Sequence, residues 1–261
     1  MILLAAALAA AALMTLAWVV VRVTGSGGWT DVFWTGSVGL LAAWAALQPS
    51  EGASPVRQVI VAALVAIWAV RLGGYILART WRSGHVDPRY ETLKRAWGGW
   101  GLKAWGFLMI QAATILVLVV AARAAAVRPD AEVGWREGLA VAILLVAVAG
   151  EGAADRQMAA FRRSPANANK VADVGLWAWS RHPNYFFEWL GWLAYPVMAL
   201  QPGYPAGWLS LLAPALMWWL LSHVSGVPPL EAQMLKTRPD AYRAYQARVS
   251  RFFPRPPRPI A

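Results

Sequence analysis

Four polar side chains lie close together where an apolar stretch of the sequence begins. Arg181, His182, Asn184 and Glu188 all fall within the segment Ser180-Arg-His-Pro-Asn-Tyr-Phe-Phe-Glu. Charged and amide groups are costly in hydrocarbon, and those retained in membrane segments commonly serve binding or transport. We therefore expect this segment to bind a polar ligand.

Two further segments carry ionisable side chains at helical spacing, so each set falls on one face of a helix. They are Arg71, Tyr75, Arg79 and Arg82 in one segment, and Glu151, Asp155 and Arg162 in the other. Either set could be a structural ion pair inside a bundle, such as Arg71 with Glu151. Because three polar faces, counting Asn184 and Glu188, lie toward the same end of their helices, we favour a ligand pocket.

Arginine predominates at the mouth of this predicted pocket. Guanidinium groups bind phosphate oxygens bidentately, which favours an anionic, phosphate-bearing ligand. The basic candidates are Arg79, Arg82, Arg89, Arg162, Arg163, Lys170 and Arg181. The deeper groups Asn184, Glu188 and Asp155 suit a ribose or a carboxamide, whereas a phospholipid headgroup would not need buried carboxylates. This arrangement is typical of a pocket that binds a dinucleotide, with the reactive ring of the dinucleotide next to a lipophilic substrate.

The composition indicates an integral membrane protein. Of the 261 residues, 59% are hydrophobic and 14% are charged, whereas a soluble domain carries about a quarter charged residues. A bilayer-spanning helix needs roughly 20 apolar residues. The apolar blocks predict an all-α polytopic fold with seven transmembrane helices in one bundle, over residues 2–22, 31–47, 57–79, 104–124, 136–158, 185–201 and 205–224. We expect one domain over 1–254 and an extended, disordered, basic Pro-rich tail over 255–261.

The basic residues predict the orientation of this bundle. Of the 24 Lys and Arg residues, 19 lie in the segments 22–30, 79–103, 156–184 and 225–261. The positive-inside rule places these segments in the cytoplasm and the N-terminus outside. We interpret the net charge of +11 as a result of topology rather than a nucleic-acid surface, and we expect the opening of the ligand pocket to face the cytoplasm.

Other chemistries have little support in the sequence. The chain has no cysteine, which excludes disulfides and thiolate catalysis. Its three histidines, His85, His182 and His223, lack the spacing of a metal site, so we expect no metal. The glycine-rich run Trp97-Gly-Gly-Trp-Gly follows no predicted strand and is therefore a weak nucleotide-binding motif.

Several segments between residues 65 and 253 together resemble one family. They are Asp87-Pro-Arg-Tyr90, Glu151-x-x-x-Asp155-x-Gln157 with Phe161, Asp173-x-Gly-Leu-Trp177, Ser180-Arg-His-Pro-Asn-Tyr185 with Glu188, Gly226-Val-Pro-Pro-Leu-Glu231, Tyr242-x-x-Tyr245 and Phe252-Phe-Pro254. The chain resembles steroid 5-alpha-reductases (the 3-oxo-5-alpha-steroid 4-dehydrogenase C-terminal domain) and the bacterial proteins of the DUF1295 type grouped with them.

The resemblance implies a seven-helix reductase that uses NADPH to saturate a carbon–carbon double bond conjugated to a carbonyl. It implies a lipophilic substrate, either steroid-like or an acyl lipid. The residues that it implies for cofactor binding are Arg79, Arg82, Asp155, Arg162, Arg163, Arg181, His182, Asn184, Tyr185, Glu188, Tyr242 and Tyr245.

The sequence departs from that family at two places. Phe187 stands where the family commonly has glycine, which changes the local pocket. The glutamine–glutamate pair of the animal enzymes has no clear counterpart, since Gln48 and Glu51 lie at the outer end of the predicted second span. The second departure puts a steroid substrate in doubt more than it does reductase chemistry.

A rival resemblance lies within the same superfamily. Isoprenylcysteine carboxyl methyltransferases share Arg-His-Pro-x-Tyr and bind S-adenosylmethionine, which has no phosphates. Asn184 with Glu188, and the many basic residues, favour the dinucleotide. A lipid-binding or scaffold protein without chemistry is a further alternative.

Reduction of an enone builds charge on its carbonyl oxygen, so catalysis needs a donor aimed at that atom. We predict Tyr75 in this role, one helical turn from Arg71, whose charge would make the phenol more acidic. Asp31 is interpreted as the N-cap of the second helix. The expected partners are a lipophilic small molecule and the bilayer, with no nucleic acid, in a monomer or homodimer.

Overall fold

The computed structural model describes residues 1–82, 88–130 and 132–258; the side chains of Arg82 and Pro88 are outside this description. Within these ranges the regular structure is helical, apart from isolated bridges from Ala53 to Pro129 and Asp130. The all-α prediction is therefore confirmed for the described part of the chain. Asp87, the first residue of the Asp-Pro-Arg-Tyr motif, and His85 lie outside the described residues.

The α-helices are numbered here in their order along the chain. They are α1 (Ile2–Thr24), α2 (Gly28–Leu47), α3 (Pro55–Arg82), α4 (Pro88–Trp97), α5 (Leu102–Ala126), α6 (Trp135–Arg163), α7 (Pro183–Trp192), α8 (Ala194–Ala199), α9 (Leu212–Trp219), α10 (Val227–Thr237) and α11 (Pro239–Arg248). A 3₁₀-helix spans Pro205–Leu211, and a π-helical turn, Leu220–Val224, follows α9.

In the described residues, five helical segments are long and apolar enough to cross a membrane. They are Ile2–Thr24, Pro55–Trp81, Leu102–Ala126, Trp135–Arg163 and Pro205–Thr237. The protein is therefore a multi-pass integral membrane protein. Of the two other predicted spans, 31–47 lies within α2, a helix of 20 residues, whereas 185–201 is divided between α7 and α8. Pro196 explains this division, because proline lacks a helical N–H and its ring disfavours the preceding turn.

The contacts divide the chain into two compact units, one of Met1–Val141 with Tyr195–Ala213 and one of Ala142–Ala194 with Pro214–Ala261. The boundary falls inside α6. The domain prediction over 1–254 stays a prediction, and each unit is described by itself below.

In the first unit, α2 packs closely on α3 because small residues face each other. A Cβ on Gly39 would collide with the Ala69 side chain, and one on Gly28 would lie 2.9 Å from Thr80 Oγ1. Such small-residue contacts allow the close backbone approach that packs helices in membranes. Buried alanines of α2 and α5 continue this tightly packed core.

A buried ionic centre anchors the beginning of α3 in the first unit. Arg57 Nε donates to Glu137 Oε1 at 2.7 Å, and the two side chains are 0% and 2% exposed. The Arg57 guanidinium also donates to the carbonyl oxygens of Arg128, Asp130 and Glu132. A single arginine therefore holds the segment between α5 and α6 in place.

In the second unit, the C-terminal half of α6 contacts α7 and the segment that precedes it. A Cβ on Gly150 would collide with the Phe187 ring, and one on Gly191 would lie 3.4 Å from Ala147. Trp177 Nε1 donates to the carbonyl oxygen of Ala154 at 2.9 Å. Small residues on each helix thus face large or apolar side chains on the other.

Candidate functional site

The Ser180-Arg181-His182 segment is held by the C-terminal part of the second unit. Ser180 Oγ donates to the Phe252 carbonyl at 2.8 Å, and the Arg181 backbone N–H donates to the Ser250 carbonyl at 2.8 Å. Arg255 N–H donates to the Trp179 carbonyl at 2.9 Å. The described part of the predicted tail is therefore attached to this segment, and the prediction of disorder is wrong for Arg255.

Arg181 and His182 converge on one carboxylate of α10. Arg181 Nε donates to Glu231 Oε1 at 2.7 Å, and His182 Nε2 lies 3.1 Å from the same oxygen. Gln246 Nε2 donates to Glu231 Oε2 at 2.9 Å, and Arg181 Nη1 donates to the Val249 carbonyl at 2.8 Å. Glu231 thus joins the segment before α7 to both C-terminal helices.

Burial controls the protonation of the groups around this carboxylate. Burial lowers the pKa of His182, although the neighbouring Glu231 acts in the opposite direction. A neutral His182 carries its proton on Nε2 if that atom donates to Glu231. Burial also raises the pKa of Tyr242 and of Tyr245. Both phenols therefore remain protonated, and that of Tyr245 donates to the Trp177 carbonyl at 2.5 Å.

Helix α7 presents the remaining polar residues of the motif. Pro183 is its first residue, with fixed φ suited to a helix start, and His182 is the N-cap. Tyr185 stacks on the His182 ring with centroids 5.7 Å apart. Asn184 is half-buried one turn before Glu188, which is 5% exposed and accepts from Trp192 Nε1 at 3.1 Å.

Helix α6 brings its own carboxylates close to this part of α7. The Phe187 ring lies against Gly150, so the helices meet one residue before Glu188 and one residue before Glu151. Glu151 is buried, and Asp155 is half-buried one turn further along α6. Phe187, the departure from the family pattern, therefore fills the space that the glycine of α6 leaves.

Two predicted phosphate ligands lie at the end of α6. Arg162 and Arg163 are exposed in its last turn. On the same helix, Gln157 Oε1 accepts from Leu176 N–H at 2.9 Å, and its amide leaves no room for a side chain at Gly175, where φ is +55°. The glycine in the Asp173-x-Gly-Leu-Trp motif is thus required by the fold.

The other predicted site residues belong to the first unit. The Arg71 guanidinium carbon lies 6.0 Å from the Tyr75 ring centroid, and Tyr75 is 48% exposed. Arg79 is half-buried two turns after Arg71, and the side chain of Arg82 lies outside the described residues. The structure confirms that Arg71, Tyr75 and Arg79 share a helix, and their roles stay predictions.

The N-cap prediction for Asp31 is wrong. Helix α2 begins three residues earlier, with Gly27 as its N-cap. The Asp31 carboxylate instead accepts from Arg89 Nη2 at 2.9 Å and from the Tyr90 hydroxyl at 2.5 Å. It thereby attaches α4 to the first turn of α2, and the Asp-Pro-Arg-Tyr motif has a structural contact in its last two residues.

The sequence did not reveal the central role of Glu231, which binds Arg181, His182 and Gln246. The residue stood in a quoted motif without a role, because its partners Arg181 and His182 lie 50 and 49 residues earlier. The signal was available in composition alone: a carboxylate beside Pro228 and Pro229 in a basic C-terminal region. Among the described residues, no group of three or more His, Asp and Glu side chains could hold a metal ion.

Comparisons with known proteins place this helical membrane protein in a family. The chain belongs to the family described as Protein of unknown function (DUF1295), whose model matches residues 17–249. An 84-residue segment is 36% identical to an uncharacterized protein of Schizosaccharomyces pombe; it covers 31% of this chain and 23% of that protein. The match thus spans less than a quarter of the relative's length. No solved structure matches the chain.

Proposed function

We propose that the protein is a membrane-embedded, NADPH-dependent reductase that saturates a carbon–carbon double bond conjugated to a carbonyl in a lipophilic substrate. The observation that supports it most is the contact of α6 with α7. That contact joins Gly150 to Phe187, the residues that precede the buried carboxylates Glu151 and Glu188. Asp155 and Asn184, each one helical turn from one of these carboxylates, are half-buried. Buried carboxylates of this kind are expected at functional sites in membrane segments.

The residues of the second unit have the chemistry that NADPH would need. Arg162 and Arg163 offer exposed guanidinium groups for phosphates. The carboxylates of Asp155 and Glu188 can accept from ribose hydroxyls, and the Asn184 amide can both donate and accept. Arg181, His182 and Tyr245 have partners inside the protein, so we assign them to positioning the motif rather than to direct binding.

NADPH, when bound, supplies the hydride for the reduction. The protein must stabilise the charge that develops on the substrate oxygen. Tyr75 is the proposed proton donor, and the Arg71 guanidinium carbon lies 6.0 Å from the centroid of its ring. The substrate class is an enone of a steroid-like molecule or an acyl lipid, taken from the bilayer.

The proposal also includes a membrane topology with more spans than the five long apolar helices. It has seven spans, with α2 and the α7–α8 segment as the additional two, the N-terminus outside and the cofactor mouth in the cytoplasm of a bacterial inner membrane. The 19 basic residues of the proposed inner segments support this orientation. A monomer or a homodimer is compatible with it.

Ligand-dependent stabilisation tests the cofactor. The detergent-purified protein is heated with NADPH, NADH or S-adenosylmethionine, and ligand at 100 times its Kd should add about 2.7 kcal/mol. We expect stabilisation by NADPH, lost in Asn184→Ala and retained in the control Arg243→Gln, which is exposed on α11. Stabilisation by S-adenosylmethionine alone would reassign the protein to methyl transfer. Stabilisation by none of the three would favour a protein without this chemistry.

A second variant tests the proton donor. In Tyr75→Phe, enone-dependent oxidation of NADPH should fall about 10²- to 10⁴-fold, the usual contribution of a general acid. Stabilisation by NADPH should be unchanged, because Tyr75 is not among the proposed cofactor ligands. Full turnover in this variant would remove Tyr75 from the mechanism while leaving the reductase proposal in place.

A further inference from the structure

A polar groove lies in the first unit, apart from every residue assigned to the proposed reaction. One cavity of about 270 Å³ is lined by Arg128, Asp130, Glu132, Gly134, Trp135, Arg136, Glu137 and Gln201. A second, of about 360 Å³, is lined by Leu200, Gln201, Pro202, Gly203, Tyr204, Pro205 and Trp208. Because both are lined by Gln201, the two cavities adjoin.

The wall of this groove is rigidly built. Arg128 is 2% exposed; its Nη1 donates to the Met198 carbonyl at 2.5 Å and its Nη2 to Glu137 Oε1 at 3.0 Å. Glu137 Oε2 accepts from Gly134 N–H at 2.8 Å, which caps the first turn of α6. Arg57 holds the same segment by donating to three of its backbone carbonyls.

Two polar atoms in the wall have no partner in the described part of the chain. They are the donor Arg128 Nε and the acceptor Gln201 Oε1, and both are buried. A buried polar group without a hydrogen bond is unfavourable by about 1–3 kcal/mol. A ligand that satisfies both must itself offer an acceptor and an N–H or O–H donor.

The charged side chains around the opening of the groove also favour a ligand with both an acceptor and a donor. Arg136 lies over the Trp135 ring, its guanidinium carbon 5.6 Å from the centroid, and is half-buried. Asp130 is one-third exposed and Glu132 is exposed. A cation and two carboxylates around one cavity suit a ligand that carries both a negative and a positive group.

The position of the groove indicates where such a ligand would come from. It lies at the start of α6 and of the apolar segment Pro205–Thr237, both long enough to cross a membrane. Trp135 and Trp208 are largely exposed beside it. Exposed tryptophans at the ends of membrane helices lie at the level of lipid headgroups.

We propose that this groove binds the headgroup of a phosphatidylethanolamine-type lipid. The phosphate is held by Arg136 and the Arg128 Nε–H, and the primary ammonium donates to Glu132, Asp130 and Gln201 Oε1. A choline headgroup has the same charges but no N–H donor, and a glycerol headgroup lacks the cation. The groove therefore selects a primary ammonium zwitterion carried on acyl chains.

Lipid add-back tests the proposal. Delipidated protein in detergent receives dioleoyl phosphatidylethanolamine, phosphatidylcholine or phosphatidylglycerol, and bound lipid is counted by native mass spectrometry alongside thermal stability. We expect the ethanolamine lipid to bind and stabilise best. The double variant Glu132→Gln/Arg136→Gln should weaken its binding about fivefold, since partly exposed charge contacts are individually weak.

The control is Glu51→Gln, which removes an exposed carboxylate from the turn that bridges to Pro129 but does not line the groove. It should bind like the parent. Equal binding of the three lipids, or equal loss in the control, would overturn the proposal. So would equal stabilisation by soluble phosphoethanolamine, which would show that a free zwitterion suffices. If no lipid binds, water fills the groove and the proposal is wrong.

Discussion

Each compact unit contains an arginine–glutamate pair, fully buried in the first unit and partly buried in the second, and the two pairs differ in what they hold. In the first unit, Arg57 and Glu137 are 0% and 2% exposed and fix one loop through its backbone carbonyls. In the second, Arg181 and Glu231 are 10% and 14% exposed, and His182 contacts the same Glu231 oxygen as Arg181. The first pair has the architecture of a structural anchor, whereas the second includes a titratable partner next to the proposed cofactor ligands.

From this difference we expect that burial of an ion pair does not by itself identify a functional site. Desolvation largely offsets the attraction within such a pair, yet removing one partner leaves an uncompensated charge. The deeper pair should therefore matter most for stability, and the shallower pair should matter for pH and for ligand binding. Four experiments examine this contrast, beginning with the largest effect.

Removing the deeper carboxylate should have the largest effect. Glu137→Gln leaves Arg57 and Arg128 facing each other without their shared counter-ion, so we expect a loss of about 3–5 kcal/mol in the free energy of unfolding. Thermal or denaturant unfolding in detergent measures it. Glu51→Gln, an exposed carboxylate at the same end of the unit, serves as the control. Equal losses in the two variants would refute the anchoring role.

Removing the shallower carboxylate should have a smaller effect on stability. Glu231→Gln weakens charge-assisted hydrogen bonds with Arg181 and His182, which corresponds to about 1.5–3 kcal/mol. It should also weaken NADPH stabilisation, because the segment before Asn184 loses its support. Asp240→Asn is the matched control, since Asp240 pairs with Arg243 on the exposed face of α11. If Glu231→Gln lost as much stability as Glu137→Gln, the expected difference between the two ion pairs would be wrong.

The contact between Gly150 and Phe187 is apolar, so changing it tests how much packing stabilises the second unit independently of its ion pair. A methyl group at Gly150 would overlap the Phe187 ring, so Gly150→Ala should destabilise by about 1–3 kcal/mol through overpacking. The same change in a Phe187→Ala background should be close to neutral, because the ring is gone. A double-mutant cycle of unfolding free energies measures this coupling. Additive effects would show that the two residues do not pack together.

Acidification should lower the stability of the protein through His182, and we expect this effect to be the smallest of the four. Burial lowers the pKa of His182 in the folded protein, while Glu231 raises it and Arg181 and Arg251 lower it. Above about pH 6.5, the usual histidine pKa, both states are neutral and the stability is complete. As the pH falls below that value, the unfolded state binds the proton first, so stability decreases. Melting temperatures of the parent and His182→Gln across this range provide the measurement; parallel profiles would exclude His182 as the source.

The sequence predicted those features that depend on local pattern. Apolar blocks located the helices, and the run from Ser180 to Glu188 located a segment where polar groups gather. The failures came from contacts distant in sequence. The pairing of Arg57 with Glu137 was not predicted because 80 residues separate them, and Asp31 was interpreted as a cap because its partner Tyr90 lies 59 residues away. A continuous helix over 185–201 was wrong for a local reason, because Pro196 lies inside this apolar block and divides it between α7 and α8.

The attachment of Arg57 has a consequence for how the chain is built. Its acceptors, from Arg128 to Glu137, lie 71 to 80 residues further along the sequence. A growing chain that has completed only α3 carries the Arg57 guanidinium and none of these acceptors. The hydrogen bonds that hold the start of α3 can therefore form only after the segment that opens α6 has been synthesised.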